Sequence, residues 1–423
     1  MTSESTPVAY TPSGDLAELI DSYRSKGIDA LNNNISADIV TLFDAKFLYD
    51  ARPLQWESLT ATGGSAAKAT NEPIIDMTVT GSTGSRVVRQ GPYIPYQPGK
   101  ICRVIMTGTM ASTAPAGTTC RLVKRTYTSG SQVDSTIGTV TYADGTTIDW
   151  TKSQILAMDI LWLGVDGADF YVKLADGLCL VGDSHNMNLT SGVYMRTATL
   201  PVRYEIEKTA TGIRARMGFF DNHADKSTGV LGGDGLFFEI EYTTANGAVM
   251  RQICSTVQSV GGWNPRGVIL SDKIIVTSPK PTGAAGAYTP LMSLRLGANY
   301  NRATINPLQI DLANITAGAG LFVHYEVRLY NDSTHLTAAS FAAPVTGSAA
   351  EFDRAATAIS AASYIVVGGG IISTQQRDEV TSFENTEKII SNIAGTSKCL
   401  TVVATSTGAA QNILGHFEWQ EIT

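Results

Sequence analysis

The stretch Ile148–Ile206, IDWTKSQILAMDILWLGVDGADFYVKLADGLCLVGDSHNMNLTSGVYMRTATLPVRYEI, decides how the chain is read. It holds four apolar runs, QILAMDILWLGV, DFYVKLA, LCLVG and LPVRYEI, each of strand length. Gly, Asp, Asn and Ser separate them, and the turn chemistry of those residues ends strands. The spacing predicts consecutive strands of one antiparallel sheet.

Working outward, strand-length segments recur on both sides at about ten-residue intervals, the spacing of an all-β sandwich or barrel. Upstream lie ICRVIMTGTM, launched by Pro98-Gly99, and CRLVKRTYT; downstream lie GLFFEIEYTT and VMRQICSTV, with Asn246-Gly247 between them as the strongest hairpin signal of the sequence. Beyond a Pro/Gly/Ala-rich linker candidate, Thr277–Pro290, the pattern continues through LMSLRL, NPLQIDL, ASYIVVGGGII, KCLTVVATS and ILGHFEWQEI. Phe322–Tyr330 alternates strictly, one face for the core and one for solvent or a partner. Glu379–Ile393 is a short helix-like interlude, and no repeat of fixed period emerges.

The N-terminal region has a different character. Residues 1–12 are rich in Ser, Thr and Pro. Ser13 then suits an N-cap, with Leu16, Leu19, Ile20 and Tyr23 at helical spacing and Asp15 and Glu18 in the first turn. A second helical pattern follows Ser36, through Ile39, Val40, Leu42, Phe43, Phe47 and Leu48, before Arg52-Pro53. The expected architecture is all-β, an antiparallel jelly-roll-like β-sandwich in one or two units with an N-terminal α-helical arm. Its parts are the arm at 1–60, a sandwich at 61–276 and a β-rich region at 277–423 that completes the same sandwich or forms a second one.

Composition narrows the function. Hydrophobic residues are 43% and charged residues only 16%, with 40 Gly, which suits many short strands and a surface that meets other subunits. A net charge of −7 without a basic block disfavours nucleic acid, which needs clustered Lys and Arg. The nearest basic cluster, Arg121, Lys124 and Arg125, reads as a solvated strand end or subunit contact. Five cysteines, Cys102, Cys120, Cys179, Cys254 and Cys399, show no CxxC or zinc spacing and read as free thiols in strands, consistent with assembly in a reducing cytoplasm. No run of about eighteen apolar residues and no secretion-signal pattern is present, so a soluble, non-exported protein without membrane contact is expected.

Several motifs could carry chemistry. Gly182-Asp183-Ser184 with Asp332-Ser333-Thr334-His335 would allow a Ser hydrolase in which His335 deprotonates Ser184 and Asp332 orients the ring. Such hydrolases need helices between parallel strands, and none is patterned here, so both motifs read as β-turns. Asp221-Asn222-His223-Ala224-Asp225 fails as a calcium loop, with Lys226 where Gly is required and Gly232 where a carboxylate is required. Val230–Gly235 lacks the Lys-Ser/Thr of a phosphate cradle. His185, His223, His324, His335 and His416 have no ligand spacing, although a trimer axis could gather one set; Tyr93, Tyr96, Trp150 and Trp263 lie near turns and could stack on a glycan if exposed, but packing is the plainer reading. No catalytic residue, cofactor site or metal site is therefore assigned.

One set of residues points to a family. Leu161-Trp162-Leu163-Gly164-Val165, Asp176-Gly177, His185, Asn188, Tyr194-Met195 and Leu200–Ile206, in that order, resemble virion structural proteins of tailed bacteriophages. Matches continue at Tyr96–Lys100, Gln252–Val257, Gly261-Gly262 and Leu294-Arg295-Leu296, covering roughly residues 90–370. The resemblance implies a non-enzymatic tail, neck or baseplate component of fibre type, assembled in the host cytoplasm and acting through contacts with copies of itself and other virion proteins. Three-fold symmetry is expected by analogy with projecting virion parts. A capsid decoration or head-fibre protein is the alternative address; a receptor-binding lectin or glycan-modifying hydrolase, with a host-surface glycan as partner, is the alternative of another class.

Overall fold

The computed structural model describes residues 39–422 apart from 54, 129–130, 141–146, 175–176, 190, 196, 222–233, 261–268, 276–278, 285, 301, 317–320, 345–347, 374–376, 381–387 and 394. The strands form two groups, each with its own core. The first comprises β1 (Val40–Lys46), β2 (Glu57–Ala61), β3 (Ser65–Lys68), β4 (Ile75–Val79), β5 (Arg86–Ile94), β6 (Ile101–Thr109), β7 (Cys120–Thr128), β8 (Ser131–Thr139), β9 (Ser153–Leu161), β10 (Gly167–Leu174), β11 (Gly177–Ser184), β12 (Leu200–Lys208), β13 (Gly212–Phe220), β14 (Gly235–Thr243) and β15 (Ala248–Val260). The second comprises β16 (Ile269–Ile275), β17 (Lys280–Pro281), β18 (Thr289–Leu296), β19 (Thr304–Asn314), β20 (Phe322–Tyr330), β21 (Leu336–Thr337), β22 (Ala350–Asp353), β23 (Ala358–Ile359), β24 (Tyr364–Ser373), β25 (Arg377–Val380), β26 (Cys399–Ser406) and β27 (Asn412–Ile422).

In the N-terminal sandwich an eight-stranded sheet runs β11-β10-β9-β6-β15-β4-β3 with β1 also on β15, and a seven-stranded sheet runs β2-β5-β12-β13-β14-β7-β8. Their inner faces meet through alternating apolar residues: Val202, Tyr204 and Ile206 of β12 and Ala215, Met217 and Phe219 of β13 pack toward Val104, Met106, Leu156 and Phe170. Burying side chains of this size stabilises by about 1.5–3 kcal/mol each. The C-terminal sandwich pairs the sheet β16-β27-β19-β25 with the sheet β22-β18-β26-β20-β24 around Tyr325, Phe417 and Trp419. Glu57 to Lys398 at 3.1 Å and Asp221 to Arg302 at 3.6 Å are ion pairs between the two sandwiches. The all-β, antiparallel expectation holds throughout the described strands.

Five expectations are corrected. Three runs of the Ile148–Ile206 stretch are neighbouring strands, β9, β10 and β11, but LPVRYEI becomes β12 in the opposite sheet. Asn246-Gly247 does not close a hairpin: β14 and β15 lie in different sheets, and the glycine marks a crossover. A Cβ on Gly247 would lie 2.1 Å from the Val79 carbonyl oxygen, so the close approach of backbone to β4 is what requires glycine there. Ile39–Leu48 is not helical. Strand β1 and the residue after it bury Phe43, Ala45 and Phe47, a period of two, with Phe43 tilted against Trp56, Phe47 edge-on to it, and Asp44 and Lys46 outward. The helix expected from Ser13 lies outside the described residues. Of the helix-like interlude Glu379–Ile393, Glu379 and Val380 end a strand (Arg377–Val380) on β19 and Ile389 bridges Ile305, while 381–387 lie outside the described residues. Finally, β16 pairs with β27, so the division between the cores falls between Val260 and Ile269 and not after residue 276.

Candidate functional site

Three surfaces of the described residues concentrate chemistry, and the largest is the outer face of the seven-stranded sheet. Side chains two apart along a strand share a face, so Arg203, Glu205 and Glu207 of β12 point outward beside Arg214 and Arg216 of β13 and Glu239 and Glu241 of β14. The register sets opposite charges directly across: Arg86, Glu207, Arg214 and Glu241 form one row, and Glu205, Arg216, Glu239 and Arg121 the next. Arg216 reaches Glu205 at 3.0 Å and Glu239 at 2.7 Å; Arg86 and Arg203 reach Glu205 at 2.8 and 2.9 Å. Burial alone would push the Glu205 carboxyl up, but Arg203, Arg216 and Arg86 reverse this and hold it well below the usual carboxylate range. Arg216 is pushed down by burial and raised further by Glu205 and Glu239, with a net rise.

This lattice also absorbs the basic cluster noted in the sequence. Arg121 binds Glu239 at 2.5 Å, and Lys124 lies over the Tyr194 ring at 5.8 Å. Arg125 is fully buried, binds Asp134 at 2.8 Å and lies 5.2 and 4.9 Å from the Phe220 and Phe237 rings. It is therefore neither a solvated strand end nor an anion site. The alternating charges of RYEIE, RAR and EIE in successive strands were the signal that sequence reading passed over.

The second surface lies on β9–β11 and the loop that follows. Asp159, Asp169 and Asp183 stand opposite one another on three adjacent strands. Arg103 neutralises one end at 2.5 Å, and His185 lies 3.1 Å from Asp183 and 3.6 Å from Asp166 and Asp169. Burial, with Asp159 and Asp183 adding, raises the Asp169 carboxyl against the opposing pull of His185. Among the described residues no group of three or more ligating side chains could hold a metal ion. Around this row Leu163, Val165, Leu178, Leu180, Met187, Leu189 and Val193 are all exposed, Leu189 by 80%. These seven exposed apolar residues fall within 31 positions of the sequence.

The third surface is the outer face of β20 with β24. Tyr288 OH donates to Glu326 at 2.7 Å and lies 2.5 Å from His324 Nδ1, which in the neutral ring must then donate to the phenol oxygen. Arg328 donates to Glu326 and lies between the Tyr288 and Tyr364 rings, 4.3 and 4.1 Å away. Burial first, then the bond to Glu326, pushes the Tyr288 phenol up to about 12. Beside this group Phe322, His324, Ile371 and Thr407 line a cavity of about 290 Å³.

The remaining sequence candidates are placed as follows. Ser184 lies on β11 of the first sandwich and His335 in the second, where its Nδ1 donates to the Asp332 backbone oxygen and its Nε2 lies 3.0 Å from Thr401. His335 also stacks on Tyr330 at 3.5 Å, so no hydrolase triad is assembled. Tyr93, Tyr96 and Trp150 are buried and present no stacking face; Tyr93 donates to Asp221 at 2.6 Å. Asp221 is itself buried, while the rest of the calcium-like loop, His223 and Trp263 lie outside the described residues. His416 lies 3.0 Å from Asp311, and all five cysteines are free and strand-borne.

No protein-family model matches the chain, and no curated protein matches it. Among solved structures it is similar to a protein of unknown function, SO2946, from Shewanella oneidensis MR-1, at 11% identity over 62% of this chain and 99% of that one, with a TM-score of 0.22. Peanut lectin matches at 9% identity over 53% of this chain and 98% of that one, with a TM-score of 0.21. The CBM2 module of the evolved Dit protein of Lactobacillus casei BL23 phage J-1 matches at 11% identity over 53% of this chain and 98% of that one, also at 0.21. At these TM-scores the likenesses carry no argument, and the sandwich architecture rests on the strand pairing described above.

Proposed function

We propose that this chain is a structural component of a tailed-phage particle, set in the tail, neck or baseplate, that works through contacts with copies of itself and with other virion proteins and performs no catalysis. The observation that carries the reading is the apolar band from Leu163 to Val193, left exposed on a chain in which only 16% of residues are charged. At about 25 cal/mol per Å² removed from water, covering such a band drives assembly without ion pairs. The motifs that resemble virion proteins run through the same stretch. Co-purification with isolated tails and not with empty heads is the expected result; recovery with heads moves the chain to a capsid decoration role, and recovery with neither refutes the reading.

Glycan binding is a second reading, favoured by the Tyr288, Glu326, Arg328 and Tyr364 group, where the partly exposed Tyr364 ring, with Arg328 on one side, stands near polar side chains. A glycan array that lights up with the wild type and not with Tyr364→Ala would establish it. An array with no signal would end it.

A further inference from the structure

Asn246-Gly247 is the single Asn-Gly pair of the chain, and it sits in the bend between β14 and β15, outside both strands. Asn246 is exposed. Thr244 steadies the bend from two directions: its N–H donates to the Thr211 oxygen at 3.3 Å, and its Oγ1 accepts from the Asn246 N–H at 3.1 Å. The Asn246 carboxamide has no hydrogen-bond partner among the described residues, and neither has the Gly247 N–H, since the ladder to β4 begins one residue later at Ala248↔Val79. Other asparagines lack this combination. The Asn186 amide donates to the Asp166 oxygen at 3.0 Å, Asn314 is buried, and Asn306 precedes Pro307, which has no N–H to lose.

We propose that Asn246 is a site of spontaneous covalent modification, in which the Gly247 nitrogen closes on the side-chain carbonyl carbon of Asn246. A bond forms from Gly247 N to Asn246 Cγ, the N–H proton passes to the departing amide, and ammonia leaves as the Cγ–Nδ2 bond breaks. Water then opens the cyclic imide at one of its two carbonyls. Opening at Cγ gives aspartate; opening at the main-chain carbonyl leaves the chain running through Cβ and Cγ, an isoaspartate. The fold keeps this chemistry in place. A Cβ on Gly247 would lie 2.1 Å from the Val79 carbonyl oxygen, so the residue that permits the crossover also leaves its nitrogen unshielded. The isoaspartate inserts one methylene into the main chain immediately before β15, the strand with which β4, β6 and β1 all pair. Room for it is small, because a Cβ on Gly81 would already lie 2.9 Å from the Ala245 oxygen of the bend. The modified chain therefore loses register at Ala248↔Val79 and loosens the first sandwich at that end.

The test is peptide mapping by mass spectrometry of the full chain held folded in mildly alkaline buffer, with isoaspartate marked by a protein-isoaspartate methyltransferase and labelled methyl donor. Position 246 should lose its asparagine on the order of tenfold faster than Asn186 or Asn314, with isoaspartate and aspartate rising in its place. Mildly acidic buffer should slow the loss, because the attacking nitrogen must shed its proton. Asn246→Ser should take up no label at this position and keep its first calorimetric midpoint through the same incubation, while that of the incubated wild type falls. Asn246→Asp carries the new charge on an unaltered main chain and should melt with the fresh wild type. Asparagine retained at 246 as well as at Asn186 overturns the proposal, and so does conversion confined to chain unfolded in urea. An isoaspartate chain that melts with the fresh wild type, or an equal fall in Asn246→Asp, overturns the loss of register.

Discussion

Replacing Glu205 with alanine tests whether the charge lattice holds the N-terminal sandwich together. The Glu205 carboxylate is 1% exposed and accepts from Arg86, Arg203 and Arg216 at 2.8–3.1 Å. Removing it leaves three guanidinium groups facing one another, two of them buried. Breaking a buried pair from one side costs about 3–5 kcal/mol, because the stranded charge keeps its desolvation penalty. For a unit of this size each kcal/mol moves the midpoint by about 2–4 °C, so the first sandwich should melt roughly 6–20 °C earlier. Differential scanning calorimetry at pH 7 reads this directly. The sign of the pH dependence follows from the depressed carboxyl: its stabilisation is complete above the unfolded value and is lost as pH falls toward the folded one. Wild type should therefore weaken below about pH 4.5, and Glu205→Gln should lack that part of the loss. A shift under 2 °C for Glu205→Ala, or identical acid profiles, would refute the claim that the lattice stabilises the fold.

Other outcomes follow from single positions. Phe417→Ala empties a fully buried site in the second core and should cost about 3–5 kcal/mol, seen as loss of only the C-terminal transition in calorimetry. Gly247→Ala should lower the N-terminal midpoint, since the new methyl meets the Val79 carbonyl at 2.1 Å, whereas Gly117→Ala, open on all sides but at a positive φ, should cost less. His335 is lowered to about 4 by burial, so its contribution is complete above pH 6.5 and is lost between pH 6.5 and 4; His335→Phe should flatten that portion of the C-terminal melting profile. Thiol titration with a chromogenic disulfide should leave Cys102, Cys120 and Cys399 unreactive until unfolding. All three are buried, and burial pushes the Cys102 and Cys399 thiols up to about 12.

How much was legible in the sequence depends on whether the deciding information is local. Phe322–Tyr330 was readable because strict alternation encodes both faces: Val323, Tyr325, Val327 and Leu329 are buried as expected. The destination of LPVRYEI was not, since strand length and turn residues say where a strand ends but not which sheet receives it. Asn246-Gly247 misled for the same reason; glycine answers a close backbone approach as well as a hairpin turn. Phe43 and Phe47 fit helical spacing as four apart and strand spacing as two twos, and only Ala45 between them, too small to weigh in a pattern, separates the two. The contact surfaces were the least visible. The lattice draws on five strands between Arg86 and Glu241, and the Tyr288–Glu326–Arg328–Tyr364 group on three segments.

The same lattice bears on the assembly proposed above. Charges keep a protein soluble when they face water, but Arg203, Glu205, Arg216, Glu239 and Arg125, five of the 69 charged residues, are buried in paired contacts. Exposed apolar side chains lie on β24, which carries no charge, and along Leu163–Val193, where Asp166, Asp169, Lys173, Asp183 and His185 are interleaved with them. A protein built to remain alone would spread its charges over those edges. Burying them in one sheet face instead leaves the flanks apolar, as the proposed assembly would require. Charge placed back on one flank should therefore improve solubility and abolish assembly together, and a variant that gains the first without losing the second would separate the two effects.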